Sequence, residues 1–326
     1  MIIKRQDLLN VLSKMQVNSI GRINFKDNLI YQYENDILIK NEFFKENLKE
    51  SFSLPLQQLI TILTKLKDEK IELLVEDIIK IKSKKSEIEF SKNPILKDFT
   101  FDNDYTWIDL SDNFIKGIQF AVNLIDTNNQ IYNSVLFIDN DKIISTDGKA
   151  LIIYNLGIDF NKFFLTQSQI NLLLKFNIKQ YCVKDNLIYF LSSDNSVIYF
   201  NYLTDMKFVP YEKIVLENEK EIKFLDKLNL DDINLNNSIL DSENKMLEIN
   251  ISKNTITILN SNMNINIKTK ISKENSIDNL NFKINADYLL CFLKSNFEEE
   301  FKTYLDEDKI CFENDTCKFI TTLMNN

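Results

Sequence analysis

The feature that most constrains the fold is a pattern that occurs three times along the chain. The three stretches are SFSLPLQQLITILTKL, NKFFLTQSQINLLLKF and LNFKINADYLLCFLKS, and Phe52, Phe163 and Phe282 hold equivalent places in them. The copies lie about 110 to 120 residues apart, which is the size of a domain rather than of a solenoid repeat. In each copy a short apolar run ends at Pro, Thr or Asn, and apolar residues at i, i+4 spacing follow. This pattern predicts a strand and then a helix.

Alternating apolar and polar residues follow each of these predicted helices. They occur in KIELLVEDIIKIKSKKSEIEFS, QYCVKDNLIYFLSSDNSVIYFNYL and FKTYLDEDKICFENDTCKFITTLM, which we interpret as two strands each, separated by turn residues. Each unit also opens with a helical pattern: RQDLLNVLSKM, SDNFIKGIQFAVNLI and the weaker NEKEIKFLDKLNLDDI. The sequence therefore predicts an α+β fold of three repeated domains, at 1–104, 105–212 and 213–326. Each domain has two helices packed on antiparallel sheet.

Composition argues against several classes of function. The chain has four glycines in 326 residues and contains neither GxxxxGK[ST] nor GxGxxG, so no phosphate-cradling loop is expected. It has no histidine, the commonest general base, and its four cysteines form no CxxC pair. We expect no catalytic residues, no metal and no cofactor, and an enzyme built on carboxylates is the least favoured alternative. No signal peptide or membrane span is recognisable, so we expect a soluble cytoplasmic protein without a membrane partner.

Five motifs, in the same order on a threefold chain, resemble those of the bacterial sliding clamp, the beta subunit of DNA polymerase III. They are SEIEFSKNPILKDF, IQFAVNLI, STDGKAL, FVPYEKIV and FKINADYLLCFL. The resemblance covers essentially the full length, and its divergence would suit a phage or plasmid copy. In that family two protomers close head to tail into a ring around duplex DNA. The resemblance thus implies a half-ring of three clamp domains, a homodimer and a non-catalytic processivity factor associated with the nucleoid.

The resemblance also implies a pocket for short peptides with a leucine or phenylalanine anchor, supplied by the DNA polymerase, the clamp loader and repair proteins. The matching positions are Tyr132, Thr146, Gly148, Lys149, Leu151, Val209, Pro210, Ile214, Ile320, Thr322, Leu323 and Met324. Lys149-Ala150 replaces the family's His-Arg, and TLMNN replaces its Met-Pro-Met-Arg, so we expect an apolar pocket with an altered polar rim. Gly148 is expected at positive φ, where its missing Cβ lets a peptide approach. Alternatively, it only closes a hairpin.

The net charge of −9 argues against binding DNA by simple electrostatic wrapping. A ring that slides needs only a weakly basic lining, because each phosphate that is neutralised strengthens binding and holds the protein in place. An acidic exterior also repels DNA from the outside. The resemblance places helices around the hole, and the candidate DNA-facing residues are Lys14, Arg22, Lys65, Lys67, Lys116, Gln130, Lys175 and Lys294. The alternative for each is an ordinary solvated side chain.

In the family, an edge strand of the first domain pairs with an edge strand of the third domain of the partner. The matching apolar residues are Ile88 and Phe90 on one side and Ile239 and Leu240 on the other. Lys84 and Lys85 could meet the acidic run at 298–300 across this interface. The alternative is that Ile88 and Phe90 pack inside their own domain. A second function stays open, namely a clamp-fold interaction protein or decoy that binds polymerase peptides without encircling DNA.

Overall fold

The computed structural model describes the chain at 1–16, 21–34, 36–101, 104–125, 135–201, 203–204, 208, 210–214, 220–222, 245–261, 266–272, 279–294 and 301–324. The chain divides into two compact units. Unit 1 comprises Met1–Leu110 and Asn171–Tyr202, and unit 2 comprises Ser111–Ile170 and Leu203–Asn326. The two predicted domain boundaries, after residues 104 and 212, stay a prediction.

The described residues form α-helices in the places that the repeats predicted. The helices are α1 (Arg5–Met15), α2 (Leu56–Lys65), α3 (Asp112–Ala121), α4 (Gln167–Leu173) and α5 (Ala286–Lys294). A strand ends immediately before α2, α4 and α5, at Pro55, Thr166 and Asn285. Asn285 Oδ1 accepts a hydrogen bond from the backbone N–H of Asp287 (2.8 Å), which satisfies a free donor of the first helical turn.

Unit 1 contains two antiparallel sheets. Sheet A has the order β1 (Ile2–Lys4), β6 (Lys70–Val75), β7 (Ile78–Lys82), β8 (Glu87–Ser91). Sheet B has the order β5 (Phe52–Pro55), β2 (Arg22–Lys26), β3 (Leu29–Glu34), β4 (Ile37–Glu42), β14 (Ser196–Asn201), β13 (Leu187–Ser192), β12 (Ile178–Lys184), β9 (Ile108–Asp109). Sheet B therefore continues across the predicted boundary at 104, through the pairing of β4 with β14.

Unit 2 contains the other two antiparallel sheets. Sheet C has the order β10 (Val135–Thr146), β11 (Ala150–Thr166), β22 (Cys317–Thr322), β21 (Lys309–Glu313), β20 (Lys302–Leu305), β15 (Lys220–Ile222). Sheet D has the order β18 (Asn266–Ser272), β17 (Thr255–Ser261), β16 (Met246–Ser252), β19 (Leu280–Asn285). Sheet C continues across the predicted boundary at 212, through the pairing of β11 with β22.

The α+β prediction is confirmed, but two of its details were wrong. In each of the three repeats, the alternating segment after the second helix folds into three strands rather than two. A further tight turn near the end of the segment reverses the chain. In the first copy this turn is closed by the bond from Ser83 N to Ser86 O (2.8 Å). Within the weak helical pattern at 218–233, residues 220–222 form strand β15 instead, which pairs with β20. The rest of that pattern, at 218–219 and 223–233, lies outside the described residues.

Apolar helix faces cover these sheets. In unit 1, Leu8 and Leu12 of α1 and Leu59 and Leu63 of α2 are at most 2% exposed. In unit 2, α3 lies so close to sheet C that a Cβ on Gly117 would stand 2.7 Å from the ring of Tyr154. Glycine is therefore required in the middle of this helix despite its cost to helix stability, because it lets the helix approach the sheet.

Candidate functional site

The turn between β10 and β11 is held by hydrogen bonds of its own side chains. Thr146 Oγ1 donates to Ala150 O (2.6 Å) and accepts from Gly148 N (3.0 Å). Asp147 Oδ1 accepts from the backbone N–H groups of Lys149 (2.9 Å) and Ala150 (2.8 Å). Short polar side chains that bond to nearby backbone groups favour such turns. The Thr-Asp-Gly sequence therefore fixes the shape of this turn locally.

Gly148 has φ of +89°, as the sequence predicted. A Cβ built at this position would meet no atom within 4 Å, so backbone conformation rather than crowding favours glycine here. The turn closes the hairpin in which Thr146 pairs with Leu151. The space above the turn leaves room for a ligand backbone, so both interpretations of Gly148 fit its surroundings.

Tyr288 of α5 holds the same turn from outside. Its hydroxyl donates to Asp147 Oδ2 (2.6 Å). Burial raises the pKa of Tyr288 above its ordinary value, and the hydrogen bond to Asp147 raises it further. The sequence prediction missed this residue. Its place near the start of a helical pattern gives no sign of a partner about 140 positions earlier in the chain.

The FVPYEKIV motif is anchored by a buried carboxylate. Tyr211 OH donates to Asp139 Oδ2 (2.8 Å), and Lys162 Nζ lies 3.0 Å from Asp139 Oδ1. Asp139 is only 4% exposed, so the positive charge of Lys162 offsets a carboxylate charge that would be costly to bury alone, and Tyr211 supplies a hydrogen bond to Oδ2 only. Ile214 follows the 3-10 turn Tyr211–Lys213, and its backbone N–H donates a hydrogen bond to Tyr211 O (3.1 Å).

These anchors surround one apolar cluster in unit 2, which we call the β11 cluster. Its buried members are Val135, Phe137, Ile144, Leu151, Phe164, Tyr211, Cys311 and Ile320. The partly buried residues packed against it are Ile153, Leu203, Phe208, Ile214 and Tyr304. Three predicted pocket residues, Leu151, Ile214 and Ile320, thus come together, although they lie far apart in the sequence. The half-exposed side chains offer an apolar surface of the kind that takes a peptide anchor.

The C-terminal residues run past the Thr-Asp-Gly turn. Thr322 N donates to Lys149 O (3.0 Å), so the two predicted pocket segments are hydrogen-bonded neighbours. Leu323 and Met324 are half-buried, and their N–H groups bond to Asp308 O (2.8 Å) and Lys283 O (2.9 Å). Pro210 is exposed at the start of its turn. Tyr132 and Val209 lie outside the described residues.

Most of the predicted DNA-facing residues lie on or beside helices. Lys14, Lys65, Lys116 and Lys294 belong to α1, α2, α3 and α5, Lys67 and Lys175 follow α2 and α4, and Arg22 begins β2. Gln130 lies outside the described residues. The sequence thus placed most of these basic residues on or just after helices, and whether they face DNA stays a prediction.

Three of these cations are engaged within unit 1. Lys14 forms an ion pair with Asp194, and Lys175 Nζ donates to the backbone oxygen of the residue after α1 (2.8 Å). Arg22 donates to Ser53 through Nε to Oγ (3.0 Å) and through Nη2 to the backbone oxygen (2.8 Å). Their charges therefore serve the packing of unit 1 as well as any lining. Sequence reasoning could not assign these partners, since they depend on the tertiary fold.

We predict that Asp194→Asn makes the protein less sensitive to acid. Partial burial raises the pKa of Asp194, but hydrogen bonds from Lys14, Ser192 and Ser196 outweigh it and hold the pKa at about 2. Because this folded-state pKa lies below the unfolded value of about 3.9, the stabilisation is present above pH 4 and is lost as the pH falls towards 2. We expect the free energy of unfolding of the wild type to exceed that of the variant by about 1 to 2 kcal/mol at pH 7, allowing for solvent screening. This difference in free energy should disappear near pH 2.

Urea unfolding between pH 7 and pH 2.5 measures this difference. Asp185→Asn, on an exposed turn of the same sheet, is the matched control and should keep the wild-type profile. A gap that stays constant over the whole pH range would contradict the prediction.

Ile88 and Phe90, predicted at a subunit interface, lie on β8 at the edge of sheet A. Both are half-buried and pair with Ile81 and Ile79 of β7, and their place at a subunit interface stays a prediction. Edge position and inward packing are compatible, since side chains on one face of an edge strand still cover the core. Ile239 and Leu240 lie outside the described residues.

The described part of the chain contains no group of three or more His, Cys, Asp or Glu residues placed to hold a metal ion. All four cysteines are free, and Cys182, Cys311 and Cys317 are buried. None of the described helices has the length and apolar character needed to span a bilayer.

Solved structures of sliding clamps match this chain over essentially their whole length, which places it in the clamp fold class. The DNA polymerase III beta subunit of Pseudomonas aeruginosa aligns with a TM-score of 0.83 over 100% of both chains, at 14% identity. The Helicobacter pylori beta clamp, solved with a DNA ligase peptide, gives 0.82, 100% of both chains and 15% identity.

A C. crescentus beta sliding clamp gives a TM-score of 0.83 at 14% identity, over 100% of this chain and 99% of that one. Neither a protein-family model nor a curated protein sequence matches the chain. At these identities the structural likeness establishes the fold. The chain therefore has the fold of the DNA polymerase III beta subunit.

Proposed function

We propose that this protein is a DNA sliding clamp, a homodimeric ring that encircles duplex DNA and tethers the replicative polymerase without catalysing a reaction. The observation that carries the proposal is the full-length match to the P. aeruginosa beta subunit, with a TM-score of 0.83 over 100% of both chains. The alignment covers 100% of both chains, which supports a function that uses the whole clamp fold. In this proposal the protein acts in the cytoplasm, on the nucleoid.

The charge of the chain fits enclosure better than adhesion. With a net charge of −9, the protein as a whole repels the phosphate backbone, so long-lived attachment must come from topology. Three candidate lining cations, Lys14, Arg22 and Lys175, are also engaged with groups of unit 1. A lining with few free cations favours sliding, because fewer counterions are displaced at each position on the DNA.

We further propose that the β11 cluster is the site for partner peptides of the DNA polymerase and the clamp loader. The fixed Thr-Asp-Gly turn, the Tyr211 anchor and the half-buried Ile214 and Met324 support this assignment. The beta clamp of H. pylori was solved with a DNA ligase peptide, which supports peptide recognition by this fold. In this chain, Lys149 and Thr322 would form part of the polar rim.

The alternative is a decoy that binds polymerase peptides as a monomer. The altered polar rim and the identity of about 14% to solved clamps are compatible with this alternative. The two differ in native mass. We expect light scattering to give twice 38.4 kDa at micromolar concentration, because each protomer supplies half of the ring. A stable monomer that still binds peptide would favour the decoy and contradict the ring.

A further inference from the structure

One face of sheet B, where β4 pairs with β14, carries aromatic and aliphatic side chains around a lysine. The register places Tyr31 opposite Lys40, and Lys40 opposite Val197. The next row on this face consists of Tyr33, Leu38, Tyr199, Tyr189 and Cys182. Directly opposed residues of neighbouring strands lie on the same side of a sheet, so these two rows form one surface. We call this surface the joint face.

The chain's own segment 97–107, which connects β8 to β9, lies across the joint face. The structure describes this segment at 97–101 and 104–107. Towards β3, the ring centroid of Phe101 lies 5.3 Å from that of Tyr31. Towards β13, the ring centroid of Tyr105 lies 4.9 Å from that of Tyr189. The described part of the segment therefore contacts strands on both sides of the β4–β14 pairing.

The ammonium group of Lys40 is covered by this segment. Lys40 is 4% exposed, and its Nζ lies 5.0 Å from the ring centroid of Phe101 and 5.4 Å from that of Tyr105. A buried ammonium group is costly without favourable partners, and the faces of aromatic rings attract cations. The joint face thus provides a place for two aromatic anchors beside one lysine.

Polar contacts hold the segment at two further points. Lys26 Nζ, on β2, donates to Asp98 Oδ1 (2.6 Å). Lys184 Nζ, on β12, donates to the backbone oxygen of Asp104 (3.2 Å). The segment sequence, KDFTFDNDYTW, contains four aromatic residues, three acidic residues and one lysine. Aromatic anchors, opposite charges and hydrogen bonds to backbone oxygens are means by which a protein surface binds an extended peptide.

The joint face is also the counterpart, in sheet B, of a surface in sheet C. In sheet B Leu38 lies opposite Tyr199, and in sheet C Leu151 lies opposite Ile320. Tyr199 and Ile320 hold the same place in their strands, each two residues after the pair next to the turn of the last hairpin. Leu151 and Ile320 belong to the β11 cluster. The joint face therefore occupies the position in its sheet that the β11 cluster occupies in sheet C.

We propose that the joint face is a binding site for an extended acidic peptide with aromatic anchors, and that segment 97–107 is its resident occupant. A partner peptide of the same chemistry competes with the segment for this face. The inference goes beyond the proposed ring, since it concerns unit 1 of a single protomer and holds for a monomer as well. Covalent attachment favours the resident segment, because a tethered ligand has an effective concentration in the millimolar range.

A peptide supplied in solution tests this site. The full-length variant Phe101→Ala/Tyr105→Ala weakens the resident segment, and the probe is a fluorescein-labelled synthetic peptide KDFTFDNDYTW. We expect the variant to bind this peptide with a Kd at least roughly tenfold lower than that of the wild type, because the tethered competitor has lost its anchors. Fluorescence anisotropy measures the two affinities, and circular dichroism confirms that the variant is folded.

Two controls separate the joint face from other surfaces. The same peptide with alanine in place of its second phenylalanine and its tyrosine should not bind the variant. Adding Ile214→Glu to the variant should leave the affinity unchanged, because Ile214 packs against the β11 cluster in unit 2. Loss of binding on Ile214→Glu would place the peptide at the β11 cluster and overturn the inference. A folded variant that binds the peptide no better than the wild type overturns it as well. Neither result bears on the ring, which the native mass tests.

The wild type supplies a second test that does not depend on the folding of a variant. Trp107 is the only tryptophan of the chain, and it packs half-buried against the cluster of Cys182, Tyr189 and Val197. A segment that exchanges with free peptide must leave the joint face more easily than sheet B unfolds. We expect the emission of Trp107 to change at a lower urea concentration than the far-UV circular dichroism. Native emission up to the loss of the far-UV signal would show that the segment belongs to the cooperative core, which would overturn the proposal.

Discussion

Ile214→Glu should abolish most of the affinity for a labelled peptide with a Leu-Phe anchor while the protein stays folded. Ile214 is half-buried against the β11 cluster, where an apolar anchor would lie, and its backbone is fixed by the turn at Tyr211. A carboxylate at this point must lose water without gaining a partner when the peptide binds. We expect a loss of about 2 to 4 kcal/mol, which is roughly 30- to 1000-fold in Kd. Fluorescence anisotropy measures the change.

The neighbouring Lys213→Gln supplies a matched control. Lys213 is exposed on the same turn, and its replacement lowers the net charge by one, as Ile214→Glu does. Wild-type affinity in this control assigns the loss to the apolar contact rather than to charge. Equal binding by Ile214→Glu and the wild type would show that the peptide binds elsewhere, and the β11 cluster would then be only a core feature of unit 2.

The sequence predicted the parts of the fold that depend on local patterns. Alternation and helical spacing are properties of neighbouring residues, so the strand-helix steps at Pro55, Thr166 and Asn285 could be placed from the sequence. Gly148 could be placed at positive φ because an Asp-Gly turn between apolar strands favours that conformation. The third strand of each meander was not predicted. The turn before it is short and polar, and the alternating pattern on its two sides had been interpreted as one continuous strand.

The candidate site was predicted in its motifs but not in its supports. Leu151, Ile214 and Ile320 were named, and the structure brings them into one cluster. Their anchors, Asp139 with Tyr211 and Asp147 with Tyr288, join residues that lie 72 and 141 positions apart. Such pairs depend on which strands and helices meet in the fold. A single sequence contains no local signal for them, and the same holds for the ion pair of Lys14 with Asp194.

The prediction with the largest expected effect is the difference in retention of the protein between circular and linear DNA. An enclosed duplex leaves a closed ring only when the ring opens, whereas a ring can slide off a free DNA end. The net charge of −9 adds to this contrast, since it disfavours adhesion of the protein to the phosphate backbone. We expect the proposed rings to assemble on DNA when the salt is lowered from about 1 M to about 0.1 M, because the Debye length then rises from about 3 to 10 Å and charged contacts between protomers are less screened.

The most direct test of the central claim is therefore gel filtration of the protein assembled on nicked circular plasmid, before and after a restriction enzyme cuts the circle once. If the protein encircles DNA, it elutes with the circle and leaves the same molecules when they are linearised. Equal retention on circular and linear forms would mean that the protein adheres to DNA. That result would contradict the account.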